Sequence, residues 1–120
     1  MAGLDPATQR GAQLADILTF SARSLVKRAY VYIMSNKRYG TIYVGVTNDI
    51  VRRAWEHREG IVPGFTRRYR LHDLVWFEEH ATLVEAIQRE HNMKHWPRRW
   101  KTALVDALNP EWNDLYPTIV

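Results

Sequence analysis

Two short runs rich in β-branched and aromatic residues constrain this chain most: Tyr30-Val31-Tyr32-Ile33-Met34 and Thr41-Ile42-Tyr43-Val44-Gly45-Val46, separated by the polar stretch Ser35 to Gly40. That arrangement is the pattern of a β-hairpin. Alternation along each strand sends Val31, Ile33, Ile42, Val44 and Val46 to one face, and Tyr32 and Tyr43 to the other. With the loop taken as symmetric about Lys37 and Arg38, Val31 opposes Val44, Ile33 opposes Ile42 and Tyr32 opposes Tyr43. Two phenol rings would then stand side by side, with Cβ atoms about 5 Å apart.

The remainder of the chain supplies cover for such a sheet. Thr47-Asn48-Asp49 offers an N-cap for a helix to about Glu59, ended by Gly60. Residues 60 to 70, with Pro63, Gly64 and the basic cluster Arg67, Arg68 and Arg70, read as a loop, and Leu74 to Glu79 as a third strand. Thr82-Leu83-Val84-Glu85 is a capping box that opens a second helix, which Pro97 closes or kinks. Arg98 to Leu108 is a third helix, stopped by Asn109-Pro110. The order ββαβαα predicts an α+β domain, a small three-stranded antiparallel sheet flanked by helices. Leu14, Ile17, Leu18 and Leu25 fall near one helical face, so residues 1 to 28 form an extension, either disordered or with a short helix over about 12 to 26. The domain proper then covers 29 to 116, with a tail over 117 to 120.

Composition excludes several classes. At 120 residues the chain has enough length for one domain with its own core. It holds no cysteine, which excludes disulfides, a thiolate nucleophile and Cys-based zinc or Fe–S sites. No apolar stretch is long enough to span a bilayer, and no leader pattern opens the chain, so the expectation is a soluble, cytoplasmic protein with no membrane partner. The net charge of +4 is uneven: residues 27 to 101 hold 15 Lys and Arg against 8 Asp and Glu, interleaved with Trp and Tyr. Such a patch suits a phosphate-rich partner, although basic residues also simply keep small domains in solution.

A few side chains do not fit a purely structural reading. Leu83, Ala86 and Ile87 define the buried stripe of the second helix, and the next position on it is Glu90. Either the stripe drifts to the surface and Glu90 pairs with Lys94 at i+4, or a carboxylate faces inward, where it needs a cation. Arg53 and His57 share a face of the first helix beside Ile50 and Ala54; alone they read as a solvated basic edge with Arg52, Glu56 and Arg58. Gly45 either marks a strand end or lets a ligand approach the backbone closely. Trp96 and Trp100 either seat the last helix or stack on a base.

Taken together, these residues form a known pattern. Tyr30-Val31-Tyr32, ten residues, then Tyr43-Val44-Gly45 resembles the signature of the GIY-YIG nuclease superfamily, and Arg53, His57 and the Ala86 to Glu90 segment fall where that family has its arginine, histidine and helical glutamate. The resemblance covers roughly residues 29 to 116, and the segment Asn109 to Tyr116 is similar to small stand-alone bacterial members that resemble the nuclease domain of the excision-repair C subunit. The first triad departs from glycine and isoleucine at Tyr30 and Val31, and the second has Val44 for isoleucine. Val46 stands where some of these nucleases carry a lysine that assists tyrosine deprotonation.

The resemblance implies a metal-dependent endonuclease acting on DNA, in repair or recombination, with one Mg²⁺ or Mn²⁺ held by Glu90. Tyr32 or Tyr43 would orient or deprotonate the attacking water, and a phenol with a pKa near 10 needs positive charge or a metal hydroxide to help. Arg53 would clamp the phosphate bidentately, and His57 would bind phosphate or assist proton transfer. Lys37, Arg38, Arg67, Arg68 and Arg70 would contact the backbone, with Gly45 allowing close approach. A protein partner is one way for so small a domain to be targeted. The alternatives are a nucleic-acid-binding module that cleaves little or nothing, and a protein-interaction domain with an idle site.

Overall fold

The computed structural model describes residues 28–120, so all of the expected extension except Arg28, including its helix over 12 to 26, lies outside the described residues. Three antiparallel strands, β1 (Ala29–Ser35), β2 (Ile42–Thr47) and β3 (Asp73–His80), form one sheet in the order β2-β1-β3. The helices are α1 (Ile50–Arg58), α2 (Phe65–Arg68), α3 (Leu83–Lys94), α4 (Arg98–Leu108) and α5 (Tyr116–Ile119). The α+β expectation stands. Two short helices are additions to it: α2 interrupts the stretch expected to be a loop, and α5 follows the expected last helix. Four residues make a single turn, too short to carry a hydrophobic period.

The hairpin register corrects the expected one. Val31 faces Val46, Tyr32 faces Gly45, Ile33 faces Val44 and Met34 faces Tyr43. The loop is centred one residue further along, on Arg38 and Tyr39, and side chains capture its backbone. Asn36 Oδ1 accepts from Thr41 N at 3.0 Å, Ser35 Oγ accepts from Lys37 N at 3.2 Å, and Gly40 N donates to Lys37 O at 2.9 Å. A Cβ on Gly40 would collide with Asn36 Oδ1, so a larger residue there would displace the side chain that accepts from Thr41 N. The loop is pinned to α4 by the Tyr39 hydroxyl, which donates to Asp106 at 2.9 Å, while Trp112 Nε1 donates to the same carboxylate at 2.8 Å. The displacement is an even number of residues, so each side chain keeps its face.

Both faces of the sheet are covered. On the aliphatic face, Val31, Ile33, Val44 and Val46 pack with Val75, Leu83, Ala86, Met93, Val105 and Trp112. Thr82 caps α3, its hydroxyl accepting from Glu85 N at 3.1 Å, and α4 starts directly after Pro97. Trp96 packs against this core and meets Trp100 edge-on at 5.8 Å, whereas Trp100 itself stays half exposed. Only the first of the pair, then, seats the helix. On the other face, Tyr32 and Met34 pack with Ile50, Ala54, Leu71 and Leu74, and Leu115, Tyr116 and Ile119 close over them.

A bulge in β3 reconciles the two faces. Ile33 pairs with Trp76 but Met34 with Leu74, so Val75 is the extra residue, and Val75 and Trp76 both join the aliphatic core. The Val75 carbonyl is taken by Asn109 Nδ2 at 3.0 Å.

Candidate active site

Helix α1 starts at Asp49, whose carboxylate accepts from Arg52 N at 3.1 Å, and ends at Gly60, where a positive φ of 70° suits glycine. Its inward face carries Ile50 and Ala54 together with Arg53 and His57. The last two are only 1% and 2% exposed, so the solvated-edge reading fails for them, although Arg52 and Arg58 are exposed as expected. Arg53 Nε lies 3.3 Å from Glu56 Oε1, an ion pair one turn along.

The phenol of Tyr32 meets His57 Nε2 at 3.0 Å, and His57 Nδ1 meets Thr66 Oγ1 at 3.1 Å. The imidazole therefore bridges a phenol and a hydroxyl, and either tautomer satisfies both contacts by donating at one nitrogen and accepting at the other. Tyr43 lies diagonally from Tyr32 across the hairpin, with ring centres 6.4 Å apart, and 6.0 Å from the His57 ring. Gly45 is buried at the position facing Tyr32, which therefore carries no opposing side chain.

Glu90 reaches the site from α3. It is 1% exposed, and Lys94 Nζ stands 3.4 Å from its Oε2. Both halves of the sequence alternative hold: the carboxylate faces inward, and it pairs at i+4. The same ammonium sits 4.6 Å from the centre of the Tyr43 ring, linking Glu90 to the tyrosine pair. Phe65 of α2 stacks on Tyr43 from another side, at 6.4 Å and 27°.

Among the described residues, no group of three or more His, Cys, Asp and Glu side chains converges as a closed metal cage would require. A single buried carboxylate fits a hard divalent cation that draws its other ligands from water and phosphate oxygens, as Mg²⁺ does. Among the described residues Glu90 is the buried carboxylate that could serve such an ion.

Of the expected backbone contacts, Lys37 and Arg38 are exposed on the hairpin loop, where Arg38 lies 3.8 Å from Glu111. Arg67, Arg68 and Arg70 are exposed on and after α2, with Arg68 over the Tyr69 ring at 5.4 Å. Gly45, being interior, is set apart from these five. Sequence reasoning missed Thr66, which lay within the expected loop, and Phe65. The i+4 spacing from Glu90 pointed to Lys94, but only as a surface partner.

The pattern of the GIY-YIG catalytic domain matches residues 28–103. A UPF0213 protein of Bacillus pumilus is 35% identical over 72 residues, covering 60% of this chain and 74% of that protein. One from Natronomonas pharaonis is 37% identical over 76 residues, 63% of this chain and 88% of its own. A third, from Bacillus licheniformis, is 32% identical over 88 residues, 73% of this chain and 90% of its own. No solved structure matches.

Proposed function

The chain belongs to the GIY-YIG family and has its nuclease-type fold, and from that premise we propose that it is a metal-dependent endonuclease that hydrolyses phosphodiester bonds in DNA. The observation that carries this reading is the 3.0 Å contact between the Tyr32 phenol and His57 Nε2, with Thr66 on the opposite nitrogen. A phenol held on an imidazole is a pair that can pass a proton, which binding alone does not require.

In the working arrangement Nδ1–H donates to Thr66, which leaves the Nε2 lone pair aimed at the Tyr32 O–H. The attacking water passes its proton to the Tyr32 oxygen as the Tyr32 proton moves to His57, so the phenol need not titrate near neutrality. Tyr43 orients the water from the neighbouring position, and Lys94 supplies positive charge beside it, where Val46 offers none. Arg53 binds the non-bridging phosphate oxygens, its charge fixed at every relevant pH. Glu90 would hold one Mg²⁺ or Mn²⁺. That ion, when bound, would offset charge on the scissile phosphate and on the leaving oxygen. The exposed Lys37, Arg38, Arg67, Arg68 and Arg70 contact flanking phosphates, which confers affinity without sequence reading.

The decisive experiment is cleavage of labelled duplex, single-stranded, nicked and branched DNAs with Mg²⁺ or Mn²⁺, comparing the parent with Glu90→Ala and Arg53→Ala. Metal-dependent cutting lost in both variants supports the reading, and equal cutting by all three refutes these assignments. Val46 favours a second reading, a binding module with the same fold. Salt-sensitive DNA binding without cutting would select it.

A further inference from the structure

The strand order leaves β2 at an edge of the sheet, and along that edge runs a groove of about 300 Å³ lined by Ile42, Tyr43, Val44, Phe65, Lys94 and Lys101. Its lining is of two kinds. Lys94 and Lys101 bring two ammonium groups from α3 and α4, while Phe65, 45% exposed, presents an aromatic ring. Tyr43 and Lys94 belong to both the groove and the candidate active site, so the two are continuous.

The cations here act on one another. Burial first, then Lys94 and Arg98, hold the Lys101 ammonium below the ordinary lysine value of 10.5. Arg98 is itself committed to the hairpin loop, donating from Nη2 to the carbonyls of Tyr39 and Gly40 at 3.0 and 2.6 Å. Glu90 balances Lys94 at 3.4 Å, so Lys101, partly buried and beside two other cations, is the charge in the groove that a bound anion would stabilise. The Phe65 ring in the same lining gives such an anion a flat apolar neighbour, the combination that accepts a nucleotide.

We propose that this groove is a second phosphate subsite, in which Lys94 and Lys101 hold a phosphate of the DNA strand next to the scissile one and Phe65 packs on the attached sugar or base. This rests on the nucleic-acid reading above and extends it to Lys101 and Phe65, to which that reading gave no role. The subsite fixes the direction in which the strand leaves the tyrosine pair: along the β2 edge toward α4.

The test is the affinity of the full chain for fluorescein-labelled single-stranded and duplex oligodeoxynucleotides, in EDTA so that nothing is cut, over a salt series. Lys101→Met, which keeps the apolar stem, is expected to weaken binding about three- to tenfold at low salt. It should also reduce the slope of log affinity against log salt by roughly one. Lys101→Arg should retain the slope, and Phe65→Leu should lower affinity while leaving it unchanged. Parental affinity and slope in Lys101→Met, with its fold intact by circular dichroism, would overturn the subsite. Cleavage by the parent alongside that result would leave the nuclease reading standing. A parent that never cleaves but loses binding in Lys101→Met would sink the hydrolysis and keep the subsite. A parent that binds no oligonucleotide would refute both.

Discussion

The two faces of the sheet are both buried, but by different means. From the strands, the aliphatic face contributes Ala29, Trp76 and a set of Val and Ile side chains, closed by Leu83, Ala86 and Met93 of α3 and Val105 of α4. The tyrosine face mixes Ile50, Ala54, Leu71 and Leu74 with a buried arginine, histidine and threonine. Burying such groups is costly unless each finds a partner, and Thr66, Glu56 and Tyr32 are among those partners. One face is apolar throughout and the other carries the groups to which we assign the chemistry, so substitutions on them should separate stability from the proposed activity.

On the proposed function, the largest separation comes from Arg53→Lys. It keeps the charge and loses the planar fork, and should lower cleavage about 10²–10³-fold, well beyond what any loss of stability accounts for. Comparable cleavage by this variant would remove Arg53 from the phosphate. Ile33→Ala on the opposite face should do the reverse, costing about 2–5 kcal/mol in urea denaturation with turnover per folded molecule retained. A cleavage loss beyond the unfolded fraction would break the division between faces. Thr66→Val removes one hydrogen bond to the His57 ring, so stability should fall by about 1 kcal/mol and cleavage more than stability alone accounts for.

The smallest effect concerns pH. Burial, and then the neighbouring Asp114 carboxylate, raise the Asp73 carboxyl above its ordinary 3.8. The folded chain therefore holds that proton more tightly than the unfolded one. The resulting stability is fully present below pH 3.8 and is lost as pH rises through the raised value. Asp73→Asn should flatten that part of the stability profile in acid titrations followed by circular dichroism. Asp114 also accepts from Leu74 N and Tyr116 N and pairs with Arg58, so this is a property of the cover over the tyrosine face.

Much of this was legible in the sequence, for identifiable reasons. The faces of Tyr32 and Tyr43 follow from a period of two, which survives the even displacement of register. The displacement itself was not legible, because it depends on how Ser35 and Asn36 bond the loop backbone. Spacing placed Arg53 and His57 on one helical face, but the inward setting of His57 depends on Tyr32 and Thr66, which no local pattern connects to it. Thr66 lies in a turn bounded by Gly64 and by Arg70, whose φ is 58°, and a single helical turn leaves no periodic trace. The bulge at Val75 was hidden for a similar reason, since its carbonyl partner, Asn109, comes from beyond α4.

The path of the chain through the sheet has a consequence for the order of folding. β1 pairs with β2 through a short loop, a local closure with little entropy to overcome, whereas its other edge waits for β3. Helices α1 and α2, with Arg53, His57 and Thr66, lie in the long segment between those two pairings. The hairpin is thus suited to nucleate first, and on this topology the docking of β3 should follow it and draw α1 into place. The hairpin and the site should therefore become protected from hydrogen exchange in sequence, Tyr32 before His57.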